Sequence, residues 1–378
     1  METAADMPVL VLEGSARERG RVHGETLRPT IRDFVSNWKS QLKEATGMDP
    51  DQYLDRFLKE TELLSAVARW TPDLLEEVIG IAEGSGVERN TILALQLVDE
   101  EWWYRREQQF TLSNPGGERC SALGVFGQKD LAPVVAQNLD LNDFYDGYQV
   151  VLHIKDPASP IESLVFTTAG FIAMNGLNNQ GIGICCNALL QLNHARDGLP
   201  VAFVHRGVLA QSKLDDAVAF IRRVKHASGQ NYIIGSPEGV VSYECSANRV
   251  SRYEPFEGAK RLYHTNHPLV SDDLVTGTES AQEPSSDENL IVSTPTNSQV
   301  RFESLERRLQ DNTEPVTVEI VKSILGAHDS NEHPVCRHKI PGGGAMTLGC
   351  QIMSLSSPPV LHVAPGPGCS TEFRALTF

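Results

Sequence analysis

Cys120 sits where a polar, glycine-rich loop, Gly116-Gly117-Glu118-Arg119, meets the apolar run Ser121-Ala122-Leu123-Gly124-Val125-Phe126. A second apolar run ends in Gln137-Asn138-Leu139-Asp140, and Gly127-Gln128-Lys129-Asp130 between the two is turn-like. Folding the runs as a hairpin centred near Asp130 brings Asp140 back opposite Cys120. A thiol beside a carboxylate at a strand end, just after a loop open to cleavage, is a candidate self-processing nucleophile. If the Arg119–Cys120 bond is cut, the new α-amine can take the proton of its own thiol. The two groups titrate near ~8 and ~8.5, so that transfer costs little at neutral pH. The competing reading is a small, buried core cysteine.

Two asparagines offer oxyanion chemistry. Asn266 lies in His264-Thr265-Asn266-His267-Pro268, after the strand-like Arg261-Leu262-Tyr263. Its side-chain amide can donate to a tetrahedral oxyanion, a contact commonly worth roughly 3–4 kcal/mol of barrier. The same residues could instead cap a turn. Further upstream, the Asn- and Gly-rich turn from Asn175 to Gly181 feeds a strand ending at Asn187. A backbone N–H near Asn187 could form the other half of an oxyanion hole, although most Asn-Gly turns are only turns.

None of the eleven histidines is close to Cys120 in sequence. An uncut Cys–His enzyme would use His264 or His267 as its base, and a non-catalytic binding protein for a small amide is a further alternative. Zinc could draw on His264, His267, His333, Cys336 and His338. The spacing His333-x-x-Cys336-x-His338 matches no common structural pattern closely, so no metal and no cofactor is expected.

The elements that must position these residues change character along the chain. Met7 to Glu13 reads as a strand. From Ala16 to about Gln109 apolar residues recur at helical spacing, with Thr71-Pro72 as a helix start. Trp102, Trp103 and Tyr104 read as the buried face of the last of these helices. Beyond Cys120, strands are expected at Ala122–Phe126, Val134–Gln137, Tyr148–Ile154, Ser163–Thr168, Gly181–Asn187, Tyr232–Ile234 and Val240–Cys245. Two more follow at Thr347–Met353 and Val360–Val363. Helices are expected near Pro200–Leu209, Leu214–Val224, Ser298–Leu309 and Val316–Leu325. Runs of helices followed by runs of strands indicate an α+β fold in layers.

The whole-chain balance excludes several classes. A length of 378 residues, 40% hydrophobic and 22% charged, suits a soluble globular protein. A net charge of −16 argues against nucleic acid as partner, because phosphate binding needs basic surface. It also disfavours an acidic membrane surface. No apolar stretch approaches the ~20 residues of a membrane span, and no secretory pattern opens the chain. Seven cysteines without a disulfide framework point to a cytoplasmic, reducing compartment. Cys185 and Cys186 read as small core residues, since neighbours on a strand point to opposite faces.

Taken in order, these motifs resemble the acyl-coenzyme A:6-aminopenicillanic acid acyltransferase family, peptidase C45, of the N-terminal-nucleophile hydrolases. The marks are Glu18, Gly20, His23 and Gly24, then Cys120 followed by Gln137-Asn138-x-Asp140, then Met174-Asn175 through Gly181 to Asn187. His264-Thr265-Asn266-His267, the Cys336-Arg337 pair and the run Thr347 to Ile352 complete the set. The resemblance implies a four-layer αββα sandwich with a helical N-terminal segment. It implies a precursor cut before the nucleophile, so that 1–119 becomes a small subunit and 120–378 the catalytic one, a possible heterodimer of self-cleaved fragments. Cys120 would be the nucleophile and Asp140 would hold its amine and thiol. Asn266 and the backbone near Asn187 would receive the oxyanion, and Arg337 would favour the thiolate or orient its loop. The partner implied is a small-molecule amide or acyl donor. One departure stands out: the family often carries Gly before the cysteine, where this chain has Arg119.

Overall fold

The computed structural model describes residues 7–108, 120–275, 296–310 and 315–378. The Arg119 side of the expected cleavage bond lies outside the described residues, as does most of the acidic Ser271–Glu288 stretch. The architecture is mixed α+β: a helical N-terminal region and two sheets.

Seven helices fill the first third: α1 (Ala16–Thr26), α2 (Arg28–Thr46), α3 (Pro50–Glu60), α4 (Leu63–Trp70), α5 (Pro72–Ser85), α6 (Arg89–Leu95) and α7 (Val98–Glu107). Their ends follow local rules. Asp49 caps α3 by accepting from Gln52 N–H, Pro72 opens α5, and Gly86 closes it in the left-handed region. The glycines of the N-terminal motif have a packing role. A Cβ at Gly20 would lie 1.8 Å from Glu77 O, and one at Gly84 2.2 Å from Arg21 O. Helices α1 and α5 therefore touch backbone to backbone, which a side chain at these positions would forbid. His23, from the same motif, is buried and its Nε2 accepts from Gly170 N–H at 3.1 Å. Burial lowers its pKa to about 4 and keeps it neutral.

The first sheet has eight strands in the order β1-β4-β5-β6-β7-β8-β9-β10. These are β1 (Val9–Glu13), β4 (Gln149–Lys155), β5 (Glu162–Thr168), β6 (Asn175–Asn178), β7 (Gly183–Ala188), β8 (Gln230–Ser236), β9 (Gly239–Cys245) and β10 (Val250–Tyr253). The N-terminal strand β1 joins this sheet parallel to β4. The second sheet runs β11-β2-β3-β12-β13-β14. It comprises β11 (Arg261–His264), β2 (Ser121–Val125), β3 (Val134–Asn142), β12 (Ala345–Ser354), β13 (Val360–Ala364) and β14 (Arg374–Leu376). Strands β2 and β3 face β7 and β8, so the sheets pack on each other. Helices α8 (Val201–Leu209) and α9 (Leu214–Arg223) lie against the first sheet, and α10 (Asn297–Gln310) and α11 (Val318–Leu325) against the second.

Three strands, β6, β10 and β14, go beyond the sequence expectation, and β3 runs five residues past Gln137. Polarity hid β3 and β6. Their amides are buried but paired inside the protein rather than solvated. Asn138 Nδ2 donates to Leu325 O at 2.7 Å and Val335 O at 2.9 Å. Asn175 Nδ2 donates to Gln137 Oε1 at 2.6 Å and Gln351 Oε1 at 2.7 Å, linking the two sheets. Asn178 Nδ2 reaches Leu209 O and Gln211 O.

The β2–β3 hairpin forms, but its register differs by one residue from the expected one. Ser121 pairs with Asn138, so continuing the ladder sets Cys120 against Leu139 rather than Asp140. The turn contains its own Gln128–Leu131 bridge, and that tight closure fixes the offset.

Candidate active site

Cys120 immediately precedes β2 and is 1% exposed. A donor from the first sheet and one from α10 meet on its carbonyl oxygen. Asn187 Nδ2, on β7, donates at 3.0 Å, and Arg301 Nη1, on α10, at 2.7 Å. The same Asn187 amide reaches His264 O at 3.4 Å, and its Oδ1 accepts from Asn231. Asn187 thus meets Cys120 through its side chain, while its backbone belongs to the β7–β8 ladder.

Asn266 lies on the loop after β11. Its Nδ2 donates to Ala188 O at 3.1 Å, and its Oδ1 accepts from Arg301 Nη2 at 3.0 Å. Arg301 therefore bridges Cys120 and Asn266. It also donates to Ser121 Oγ at 2.9 Å, and its Nε is held by Asn297 Oδ1 one helical turn earlier. At 1% exposure it heads the largest fully buried side chains. The sequence reading passed over Arg301. The available signal was an arginine at i+4 from Asn297 on a helix just after a polar loop, a pattern shared with many solvated helices.

Asp140 and Arg337 form a second group. Strand alternation puts Asp140 with Asn138 on the side facing α11, since Leu139 and Leu141 enter the main core. Thr347 Oγ1 donates to Asp140 Oδ1 at 2.7 Å and itself accepts from Arg337 N–H at 2.9 Å. The Arg337 guanidinium donates to Ala345 O at 3.3 Å. Cys120, Asn187, Asn266 and Arg301 are thus joined directly, and Asp140 and Arg337 are joined through Thr347.

The two histidines flanking Asn266 anchor its loop. His264 Nε2 lies 2.9 Å from Glu244 Oε1 and its Nδ1 lies 2.7 Å from Thr265 O, both fully buried. Both ring nitrogens therefore lie within hydrogen-bonding distance of an oxygen. Glu244 also accepts from the N–H groups of Leu269, Val270 and Ser271. Burial alone would raise its carboxyl, but the His264 bond and these amides hold it below the usual range. His267 is held at Ser298 Oγ at 2.7 Å, and burial lowers it to about 4.

A cleft of about 480 Å³ opens nearby, lined by Trp38, Glu101, Trp102, Arg105, Phe144 and the Gly342–Gly344 turn, among others. A smaller recess reaching Leu139 and Cys186 shares Val98, Leu141 and Tyr145 with it. Leu139 stands opposite Cys120 where the β2–β3 ladder is continued, and Cys186 precedes Asn187 on β7. Trp102 faces this space, whereas Trp103 is buried and stacks on His194 at 4.1 Å.

No curated protein matches the chain in sequence. Among solved structures, a mutant conjugated bile acid hydrolase from Clostridium perfringens aligns over 68% of this chain and 97% of its own, at 10% identity and a TM-score of 0.41. Another variant of that hydrolase gives 12%, with the same coverages and a TM-score of 0.42. Penicillin V acylase from Agrobacterium tumefaciens gives 12% over 68% of this chain and 86% of its own, with a TM-score of 0.40. The sequence profile of the acyl-coenzyme A:6-aminopenicillanic acid acyl-transferase family matches residues 127–356, well over half of the chain, and the protein belongs to that family.

Proposed function

We propose that the protein is a cysteine amidohydrolase or N-acyltransferase that acts on small linear N-acyl amides through an acyl-thioester on Cys120. The observation that carries this reading is the convergence of Asn187 and Arg301 on the Cys120 carbonyl, with Arg301 also holding Asn266. These bonds fix the peptide plane beside the sulfur, so the thiol approaches a carbonyl from a rigid position. In the proposed reaction Arg301 and the Asn266 amide, which hold Cys120 O and Ala188 O in this structure, would supply the donors to a tetrahedral oxyanion.

In the proposed cycle, Arg119–Cys120 is first cut and the Cys120 amine becomes the base for its own thiol. The thiolate attacks the substrate carbonyl, the amine leaves with that proton, and the acyl group stays on sulfur. Water resolves the thioester in a hydrolase, and an acceptor amine resolves it in a transferase. The αββα layering of N-terminal-nucleophile enzymes fits the packing of α8 and α9 on one sheet and α10 and α11 on the other. On this reading 1–119 is the small subunit and 120–378 the catalytic one, and Asp140 acts on the amine from the α11 side. A Cys–His enzyme fits less well, because His264 is engaged at both nitrogens and His267 is held at Ser298.

Intact mass of the purified protein tests the first step, with a fragment beginning at Cys120 expected. An amide library screened for amine release then tests the second. Cys120→Ala should give one uncut mass and no turnover; full activity in that variant would sink the proposal.

A further inference from the structure

Four potential metal ligands converge on the outer side of the second sheet, away from the groups joined to Cys120. His328 follows α11, Cys336 and His338 stand two apart on the α11–β12 loop, and Cys369 lies in the loop after β13. Their ligand atoms all lie within 4.8 Å of one another. Cys369 Sγ is the hub, 3.4 Å from Cys336 Sγ, 3.3 Å from His328 Nε2 and 3.1 Å from His338 Nε2. Both imidazoles present the same ring nitrogen, and their rings stack at 5.3 Å.

We propose that His328, Cys336, His338 and Cys369 form a structural zinc site. Tetrahedral zinc, with Zn–S near 2.3 Å and Zn–N near 2.0–2.1 Å, sets ligand atoms roughly 3.4–3.8 Å apart. The three separations from Cys369 Sγ, 3.1–3.4 Å, are a few tenths of an ångström shorter than that, and all four atoms lie within 4.8 Å of one another. A modest rearrangement of these side chains therefore admits the ion. The sulfurs are too far apart for a disulfide, whose bond is about 2.05 Å. Two thiolates and two imidazoles are soft and borderline donors, which favour zinc over magnesium or calcium. Four protein ligands complete the tetrahedron, the pattern of a structural rather than a catalytic ion. On binding, both thiols release their protons to solvent and the two thiolates balance the dication.

The regrouping explains why the sequence spacing looked wrong. His264, His267 and His333 take other partners, the last at Asn297 Nδ2, while His328 and Cys369 arrive from outside the Cys336–His338 segment. The ion would clip the C-terminal loop to the α11–β12 loop. That loop carries Arg337, whose N–H supports Thr347 and Asp140, and Gly342–Gly344 on the cleft wall.

The test is metal analysis of protein purified without chelator, together with the absorption spectrum of cobalt-substituted protein. About one zinc per chain is expected, with a thiolate-to-cobalt charge-transfer band and the ligand-field bands of a tetrahedral site. Cys369→Ser should cut zinc content at least tenfold and lose that band, whereas Cys120→Ala should keep both. Wild-type protein without stoichiometric zinc or the cobalt band would overturn the proposal. So would a Cys336–Cys369 disulfide in non-reduced peptides, or a band that survives in Cys369→Ser. Should that variant fail to fold, the wild-type cobalt spectrum and peptide map still decide.

Discussion

Cys120 and Cys369 both stand on loops beside strands of the second sheet, yet their surroundings differ in kind. Around buried Cys120, an amide and a guanidinium donate to the carbonyl of the same residue. Around exposed Cys369, two imidazoles and a second sulfur gather on the sulfur itself. The first arrangement holds a backbone rigid; the second collects ligands for the proposed ion. The contrast teaches that a loop cysteine can be held through its backbone or gathered around through its sulfur.

The largest effect that could break this contrast is on turnover. Cys120→Ala should lower amide turnover at least ~1,000-fold while leaving metal content unchanged, as expected for loss of a nucleophile. A variant that loses metal and activity together would merge the two regions. Arg301 comes next. Arg301→Met should lower kcat roughly 100-fold, the scale of a lost charged donor at an oxyanion, with Arg301→Lys recovering part of it. Steady-state kinetics on one amide would show whether kcat rather than KM carries the loss.

Smaller effects separate stability from chemistry. Removing zinc from folded protein should lower Tm by several degrees, read by calorimetry, while the rate of Cys120 alkylation stays within about twofold. A separate control uses the buried acid Glu100, which accepts from Ser228 Oγ at 2.6 Å. Burial, then the Asp99 charge, pushes its carboxyl up to about 8. An acid raised this way is penalised as pH climbs from its unfolded pKa toward its folded one. Glu100→Gln should therefore gain stability near pH 7.5, by up to about 4 kcal/mol, and nothing below about pH 4, measured by denaturant titration. The smallest effect is expected for Arg337→Ala. Its link to Thr347 is a backbone N–H, which the substitution keeps, so activity should fall less than ~5-fold.

Much of the fold was legible because burial leaves a period. The α2–α5 helices, the strands around Val150, Val165 and Ile233, and the α8, α9 and α11 helices carry apolar residues at the spacing of their element. The strands β3 and β6 were partly hidden, since their buried amides satisfy one another instead of following an apolar pattern. The glycines at 20, 24, 80 and 84 were visible as residues, but their reason, backbone contact between α1 and α5, was not.

The sequence by itself determined the α+β class, the family motifs and the presence of a cysteine at a loop–strand junction, because these rest on residue type and local spacing. Tertiary structure alone decided the hairpin register, the meeting of Cys120 with Asn187 and, through Arg301, with Asn266, and the grouping of His328 with Cys369. Those pairings join residues tens to hundreds of positions apart. Their geometry comes from how two sheets stack and where loops close, which no local pattern encodes.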